Sequence, residues 1–186
     1  MAALVMTEPL ETERLTLRPF RPDDLDDLFA IQSRPEVVRY LYWDVRTRAE
    51  VREVLEQRVA MDRIVSEGDT VLLAVQRRAD GRVIGDVSLT WTSQAHRQGE
   101  IGYVFSPDVQ GLGYATEAAH AVLELGFDRL RLHRVFGRTD PRNTGSARLM
   151  HRLGMRQEAH LVENEWFKGE WGSELVFAIL AREWRG

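Results

Sequence analysis

The chain has 186 residues, 44% of them hydrophobic and 29% charged, with no cysteine and a formal net charge of −4. That length and balance suit one soluble domain with a core of ordinary size. The lack of cysteine excludes disulfides, thiolate metal ligands and a cysteine nucleophile, and the acidic balance disfavours direct nucleic-acid binding.

Residues 1–13 read as a flexible arm. The stretch has neither the basic start nor the long apolar core of a signal peptide, and no run in the chain approaches a membrane span, so a cytoplasmic location is expected. Arg14-Leu15-Thr16-Leu17-Arg18 alternates polar and apolar side chains and predicts a first strand, ended by Pro19 and Pro22. Asp23 and Asp24 suit the positive end of a helix that carries Leu25, Leu28 and Phe29 on one face. Thr47 with Glu50 forms a capping box for a second helix, predicted to run to about residue 66 before Gly68.

The period then changes to that of strands. Thr70–Gln76 and Val83–Trp91 flank an Asp80-Gly81 hairpin turn, and Glu100–Phe105 makes a further strand. A helix from Thr116 to about Leu130 follows, then a strand over Arg134–Thr139 and a helix from Thr144 to Leu153 closed by Gly154. Two last strands, near 156–167 and 173–181, are joined through Lys168-Gly169. The order predicts one α/β domain over 1–186, a mixed sheet of about seven strands with helices on both faces.

The segment Gln110-Gly111-Leu112-Gly113-Tyr114-Ala115-Thr116 lies between a strand and a helix. Its glycines let the backbone turn sharply, and the unpaired amides at the helix start suit a phosphate or pyrophosphate. A Walker loop is excluded because no Gly-Lys-Ser or Gly-Lys-Thr occurs in the chain. A dinucleotide fingerprint needs a third glycine where Thr116 stands. The alternative on this segment alone is a tight turn that only opens a helix. The five histidines (His96, His120, His133, His151 and His160) have no ligand spacing, so no metal site is expected.

Gln110-x-x-Gly113-x-Ala115 resembles the coenzyme A pyrophosphate signature of the GNAT acetyltransferases. Asn143-x-x-Ser146 with Leu153-Gly154-Met155 is similar to that family's second coenzyme segment. Thr12 to Phe20 and Gly169-Glu170-Trp171 look like the entry strand and last hairpin of its RimJ/RimL-type branch, typified by ribosomal-protein N-acetyltransferases. The resemblance implies a GNAT fold, a mostly antiparallel sheet splayed open between the Gly102–Phe105 strand and Arg134–Thr139. It implies acetyl-CoA as co-substrate and transfer to an amine acceptor, as a monomer or a homodimer. Coenzyme contacts are implied for Tyr103, Val104, Phe105, Gln110, Gly111, Leu112, Gly113, Tyr114, Ala115, Thr116, Asn143 and Ser146, with a backbone N–H near Val104 donating to the thioester carbonyl.

Acyl transfer to an amine needs a neutral amine, a polarised carbonyl and a stabilised leaving thiolate. With no cysteine and no serine–histidine–acid spacing, direct attack in a ternary complex is expected. Many family members carry a tyrosine acid seven residues after the asparagine; here that position is Met150, which has no proton to give. Ser146 is the nearest hydroxyl, either a sulfur donor or only a small residue where a helix passes the coenzyme. Glu100 and Glu165 are the candidate bases, each with the alternative of an ordinary solvated strand glutamate. Tyr40, Tyr42, Trp43, Trp91, Trp166 and Trp171 are candidate walls for the acceptor, or core. The acceptor favoured is a peptide N-terminal α-amine; aminoglycosides, polyamines and amino acids stay open, as does a non-catalytic coenzyme A sensor.

Overall fold

The computed structural model describes residues 3–184. Its strands are β1 (Leu4–Val5), β2 (Leu10–Glu11), β3 (Leu15–Pro19), β4 (Arg63–Ile64), β5 (Thr70–Arg77), β6 (Val83–Ser93), β7 (Gln98–Phe105), β8 (Arg134–Thr139), β9 (Arg156–Phe167) and β10 (Glu170–Leu180). The helices are α1 (Leu25–Gln32), α2 (Pro35–Val38), α3 (Arg48–Val59), α4 (Tyr114–Glu124), α5 (Thr144–Arg152) and α6 (Ala181–Trp184). A π-helical turn over Leu125–Arg129 prolongs α4.

Eight strands form one sheet in the order β2-β3-β5-β6-β7-β8-β10-β9. Every neighbouring pair is antiparallel except β7 with β8, which are parallel. The mixed, mostly antiparallel sheet is therefore as expected, with one strand more. That strand is β2, which lies in the stretch read as a flexible arm.

The arm is corrected for the described residues 3–13. Leu4 and Met6 are buried, β1 pairs with β4 through Leu4↔Ile64, and β2 pairs with β3. Two-residue strands leave no alternating run to read, so only the burial of their apolar side chains reveals them. The same contact ends α3 early. The capping box at Thr47 and Glu50 forms as expected, but the helix stops at Ala60 rather than near residue 66. The chain is needed in extended form at Arg63–Ile64 to meet β1.

The pleat divides the core into two layers. Leu15, Leu17, Leu73, Val87 and Ile101 face α4 and α5, packing against Ala118, Val122, Leu149 and Met150. Leu72, Ala74 and Val83 face the other way, against Leu28 of α1 and Val51 and Leu55 of α3. Helices thus cover both faces.

One polar pair is buried within the second layer's rim. Arg18 grips Asp24 through two bonds of 2.8 and 2.7 Å, and both side chains are only 5% exposed. Asp24 also accepts from the Arg21 amide at 2.7 Å, so it anchors the turn into α1 rather than merely favouring a helix end. Removing one partner of such a pair strands a buried charge, at about 3–5 kcal/mol. Asp24→Ala is expected to lower unfolding stability by that amount in a urea titration; a change below about 1 kcal/mol would mean that solvent replaces the carboxylate.

Candidate active site

β7 stays paired with β6 along its length, as far as Gly85↔Phe105, but with β8 only from Gln98↔Arg134 to Glu100↔Phe136. β8 meanwhile remains on β10 up to Leu175↔Thr139. Beyond Glu100 the sheet therefore opens between β7 and β8. Which backbone groups face the gap follows from register. The Ser106 amide donates to Ile84 O at 2.9 Å. Alternation then turns the amides of Gly102 and Val104 toward β6, and those of Tyr103 and Phe105, beyond the last β8 pairing, toward the gap. The donor expected near Val104 thus falls on Tyr103 or Phe105, because Val104's own amide points away.

At the end of the gap lies the glycine loop. Gly111 and Gly113 have φ of 77° and 84°, and Gly113 is the N-cap of α4. The first helical bond runs from Glu117 N to Gly113 O, so the amides of Tyr114, Ala115 and Thr116 have no partner within the helix. A cavity of about 1280 Å³ joins this terminus to the gap. Tyr103, Val104 and Phe105 line it along β7; Gln110, Gly111, Gly113, Ala115 and Thr116 line it at the loop; Asn143 and Ser146 line it from α5. Leu112 and Tyr114 are absent from that lining. The Leu112 carbonyl accepts from Arg14 at 2.9 Å, and the Arg14 guanidinium lies 4.4 Å over the Tyr114 ring. In a turn this tight alternate residues point outward, and these two brace the loop from behind.

Glu117 sets the loop against the sheet. It accepts from Thr12 Oγ1 at 2.6 Å, from the Arg14 amide at 2.8 Å and from Arg14 Nε at 2.7 Å. Burial works against its charged form, yet these donors outweigh burial and hold the carboxyl below its usual range.

Asn143 caps α5, its Oδ1 accepting from the Ser146 amide at 3.1 Å. The Tyr103 hydroxyl lies 2.8 Å from Ser146 Oγ and 3.2 Å from Ser146 O. Burial pushes the Tyr103 phenol up to about 12, against the smaller opposing effects of Ser146 and Arg152. Tyr103 was selected for its backbone, and nothing in the sequence announces that its side chain meets Ser146. Met150 is 1% exposed. It packs where Gly137 leaves room, since a Cβ on Gly137 would stand 3.1 Å from Met150 Cε. Arg148 and Arg152 also line the cavity, and Arg152 Nε donates to Thr116 at 3.2 Å. Their spacing of four, which puts both on one face of α5, was the available signal for both.

Neither Glu100 nor Glu165 lines the cavity. Arg138 holds Glu100 through bonds of 2.8 and 3.3 Å, and Glu165 accepts from the Tyr42 hydroxyl at 2.7 and 2.8 Å. A third carboxylate joins them. Glu174 is 8% exposed, with Arg138 at 3.6 Å. Burial raises its pKa, Arg138 opposes this, and Glu165 and Glu100 add to it. The pairings Glu100↔Phe136 and Val176↔Arg138 place Glu100, Arg138 and Glu174 on one sheet face, opposite to Tyr103. A glutamate in an alternating strand reads as solvent-facing, so Glu174 passed unnoticed.

Of the six candidate wall aromatics, Tyr40 alone lines the cavity, beside Glu36, Val37 and Leu41. Lys168 ties this wall to the last hairpin through the carbonyls of Val38 and Trp43, at 2.8 and 3.0 Å. Trp91 is core, 3% exposed, and Trp166 meets Trp171 edge-on at 5.4 Å on the hairpin surface.

Residues 14–156 match the acetyltransferase (GNAT) domain family. The chain belongs to the GNAT acetyltransferases. It is 32% identical to an uncharacterized N-acetyltransferase (YnaD) of Bacillus subtilis, over 94% of this chain and 98% of that one. At 24% identity it is similar to spermidine N(1)-acetyltransferase of Escherichia coli, over 90% and 87% of the two chains. At the same identity it is similar to a putative ribosomal N-acetyltransferase (YdaF) of B. subtilis, over 94% and 95%. A GNAT-family acetyltransferase structure from Bacillus anthracis superposes with a TM-score of 0.84 at 28% identity, covering 94% of this chain and 99% of that one. This GNAT protein is an acetyl-CoA-dependent N-acetyltransferase, and its likeness to the RimJ/RimL-type branch stands.

The loop yields a direct test. Gly113→Val would force a branched residue to φ 84°, with its Cβ 3.3 Å from an Arg14 nitrogen and its bulk beside the α4 amides. Titration calorimetry should show loss of acetyl-CoA binding with the circular dichroism spectrum retained. Normal binding by the folded variant would remove the loop from the coenzyme site.

Proposed function

We propose that this GNAT enzyme acetylates the α-amine of a peptide N-terminus, by direct attack on acetyl-CoA bound along the β7 edge. In this reading the coenzyme phosphates rest on the α4 amides with Arg148 and Arg152 nearby, and Tyr103 and Phe105 offer backbone donors in the gap. The amine approaches from the side of Tyr40 and Leu41. Nitrogen attacks the thioester carbon, the carbon–sulfur bond breaks, and the thiolate leaves with the electron pair. We also propose that the chain works as one domain in the cytoplasm, as a monomer or a homodimer.

The observation that carries the choice of acceptor is the state of the carboxylates. Glu100 is engaged by Arg138 and Glu165 by Tyr42, while Glu174 is buried behind them. None of these three carboxylates lines the cavity, so any of them can take a proton only through water, and such an arrangement suits an amine that is already partly neutral. An α-amine, with a pKa of about 7.7–8.0, is roughly a tenth neutral at pH 7, whereas lysine, at about 10.4, is well under a thousandth neutral. The second reading is a small polycation. Glu13, Glu36, Glu117 and Glu124 line the cavity, and the E. coli relative is named for spermidine. Peptides with a free N-terminus and no lysine, N-blocked peptides with one lysine, and spermidine separate these acceptors when acetylation is read by mass spectrometry. The N-terminal peptides are expected to react fastest; spermidine or the lysine peptide leading would overturn the choice.

Glu174 is assigned as the base, acting through water because it does not itself reach the cavity. Its carboxyl is raised, so the charged form grows in only as pH climbs through that raised value. Glu174→Gln should lower turnover by about one to two orders of magnitude, a loss that shrinks as pH nears the amine pKa. Stability gives the opposite sign. A carboxyl raised in the fold stabilises it below its folded pKa and loses that contribution above, so the Gln variant should be no less stable than the parent at pH 7 to 8. Loss of stability with unchanged turnover would make Glu174 structural. Glu100→Gln and Glu165→Gln should change turnover only a few-fold.

A further inference from the structure

We infer that Tyr103 is a positioning residue for acetyl transfer, its hydroxyl donating to Ser146 Oγ and so turning the serine O–H toward the thioester sulfur. The inference rests on the reading of the gap as the acetyl-CoA site. The tyrosine proton has two acceptors in reach, Ser146 Oγ at 2.8 Å and Ser146 O at 3.2 Å. The shorter contact is the better bond for a hydroxyl pair. If Tyr103 donates there, the serine proton is released from the tyrosine and is free to point into the cavity that both residues line.

Two further observations favour this order of donors. The Ser146 amide is fixed by Asn143 at 3.1 Å, so the first turn of α5 cannot rotate the serine away. The burial that pushes the Tyr103 phenol up to about 12 keeps it protonated, and therefore a donor, across the working pH range. Met150 fills core against Gly137 and has no proton to give.

The chemistry needs only hydrogen bonds from this pair. As the nitrogen–carbon bond forms and the carbon–sulfur bond breaks, sulfur takes the electron pair and Ser146 donates a hydrogen bond to it. The proton lost by the amine passes through water to Glu174 and from there to solvent, and the released thiolate takes one from solvent. Neither Tyr103 nor Ser146 changes its protonation state over the cycle.

A hydrogen bond to the thiolate must lower the thiol pKa of bound coenzyme A, and thiolate absorbance in the ultraviolet measures that directly in the full-length protein. Tyr103→Phe and Ser146→Ala are each expected to raise that pKa by about one unit, a tenfold loss of thiolate. The double variant should go no further than Ser146→Ala, because Tyr103 acts through the serine. Turnover of Tyr103→Phe should fall about tenfold with an unchanged KM for acetyl-CoA. Replacing Tyr103 by 3-fluorotyrosine keeps the shape and strengthens the donor, and should lower the thiol pKa further. An unchanged thiol pKa in Tyr103→Phe, or in the fluorotyrosine protein should Phe fail to fold, overturns the inference. So does a Tyr103→Phe effect that persists without Ser146. If the parent protein binds no coenzyme A, it is the gap reading that fails.

Discussion

The parting of β7 from β8 beyond Glu100 governs the rest of this molecule. A parallel pair that stops after three registered residues leaves the backbone groups of Tyr103 and Phe105 on the β8 side without a sheet neighbour. Buried backbone groups left unpaired are costly, so such an edge is stable only where solvent or an extended ligand can complete it. The gap also makes room for chemistry, because it is where side chains from both faces of the sheet approach one another. Tyr103 and Ser146 reach it from the α5 side, while Glu100, Arg138 and Glu174 stand on the opposite face.

Holding that opening in register with the phosphate loop requires rigid support, and the fold supplies it from distant segments. Glu117 at the start of α4 is tied to Thr12 and Arg14 at the entrance to β3, on the far side of the loop from the gap. Lys168 in the last hairpin holds the segment after α2, from which Tyr40 and Leu41 wall the cavity. Chain ends and middle therefore converge on one site. A change at Lys168 would be felt at the cavity wall although Lys168 does not line it.

Much of this was legible in the sequence where local rules decide structure. The period-two runs gave β5, β6 and β7, the capping box gave the start of α3, and two glycines in the left-handed region marked the loop before α4. What was not legible depends on contacts between distant residues. The burial of Leu4 and Met6 against β4, the Arg18–Asp24 pair and the Tyr103–Ser146 contact join segments that no spacing rule connects. Glu100 and Glu165 were reasonable as strand carboxylates near the site, but the sequence could not show that Arg138 and Tyr42 occupy them. Glu174 was missed for the converse reason, since alternation alone places a glutamate outward.

Residue-resolved amide hydrogen exchange, with and without saturating coenzyme A, tests the central claim most directly. The amides of Tyr103 and Phe105 face the gap and should slow by about tenfold or more when the coenzyme completes the edge. Val104, already turned toward β6, should change little. Slowing confined to the loop amides of residues 111–116, with Tyr103 and Phe105 unaffected, would contradict the account, because the coenzyme would then bind without using the open edge of β7.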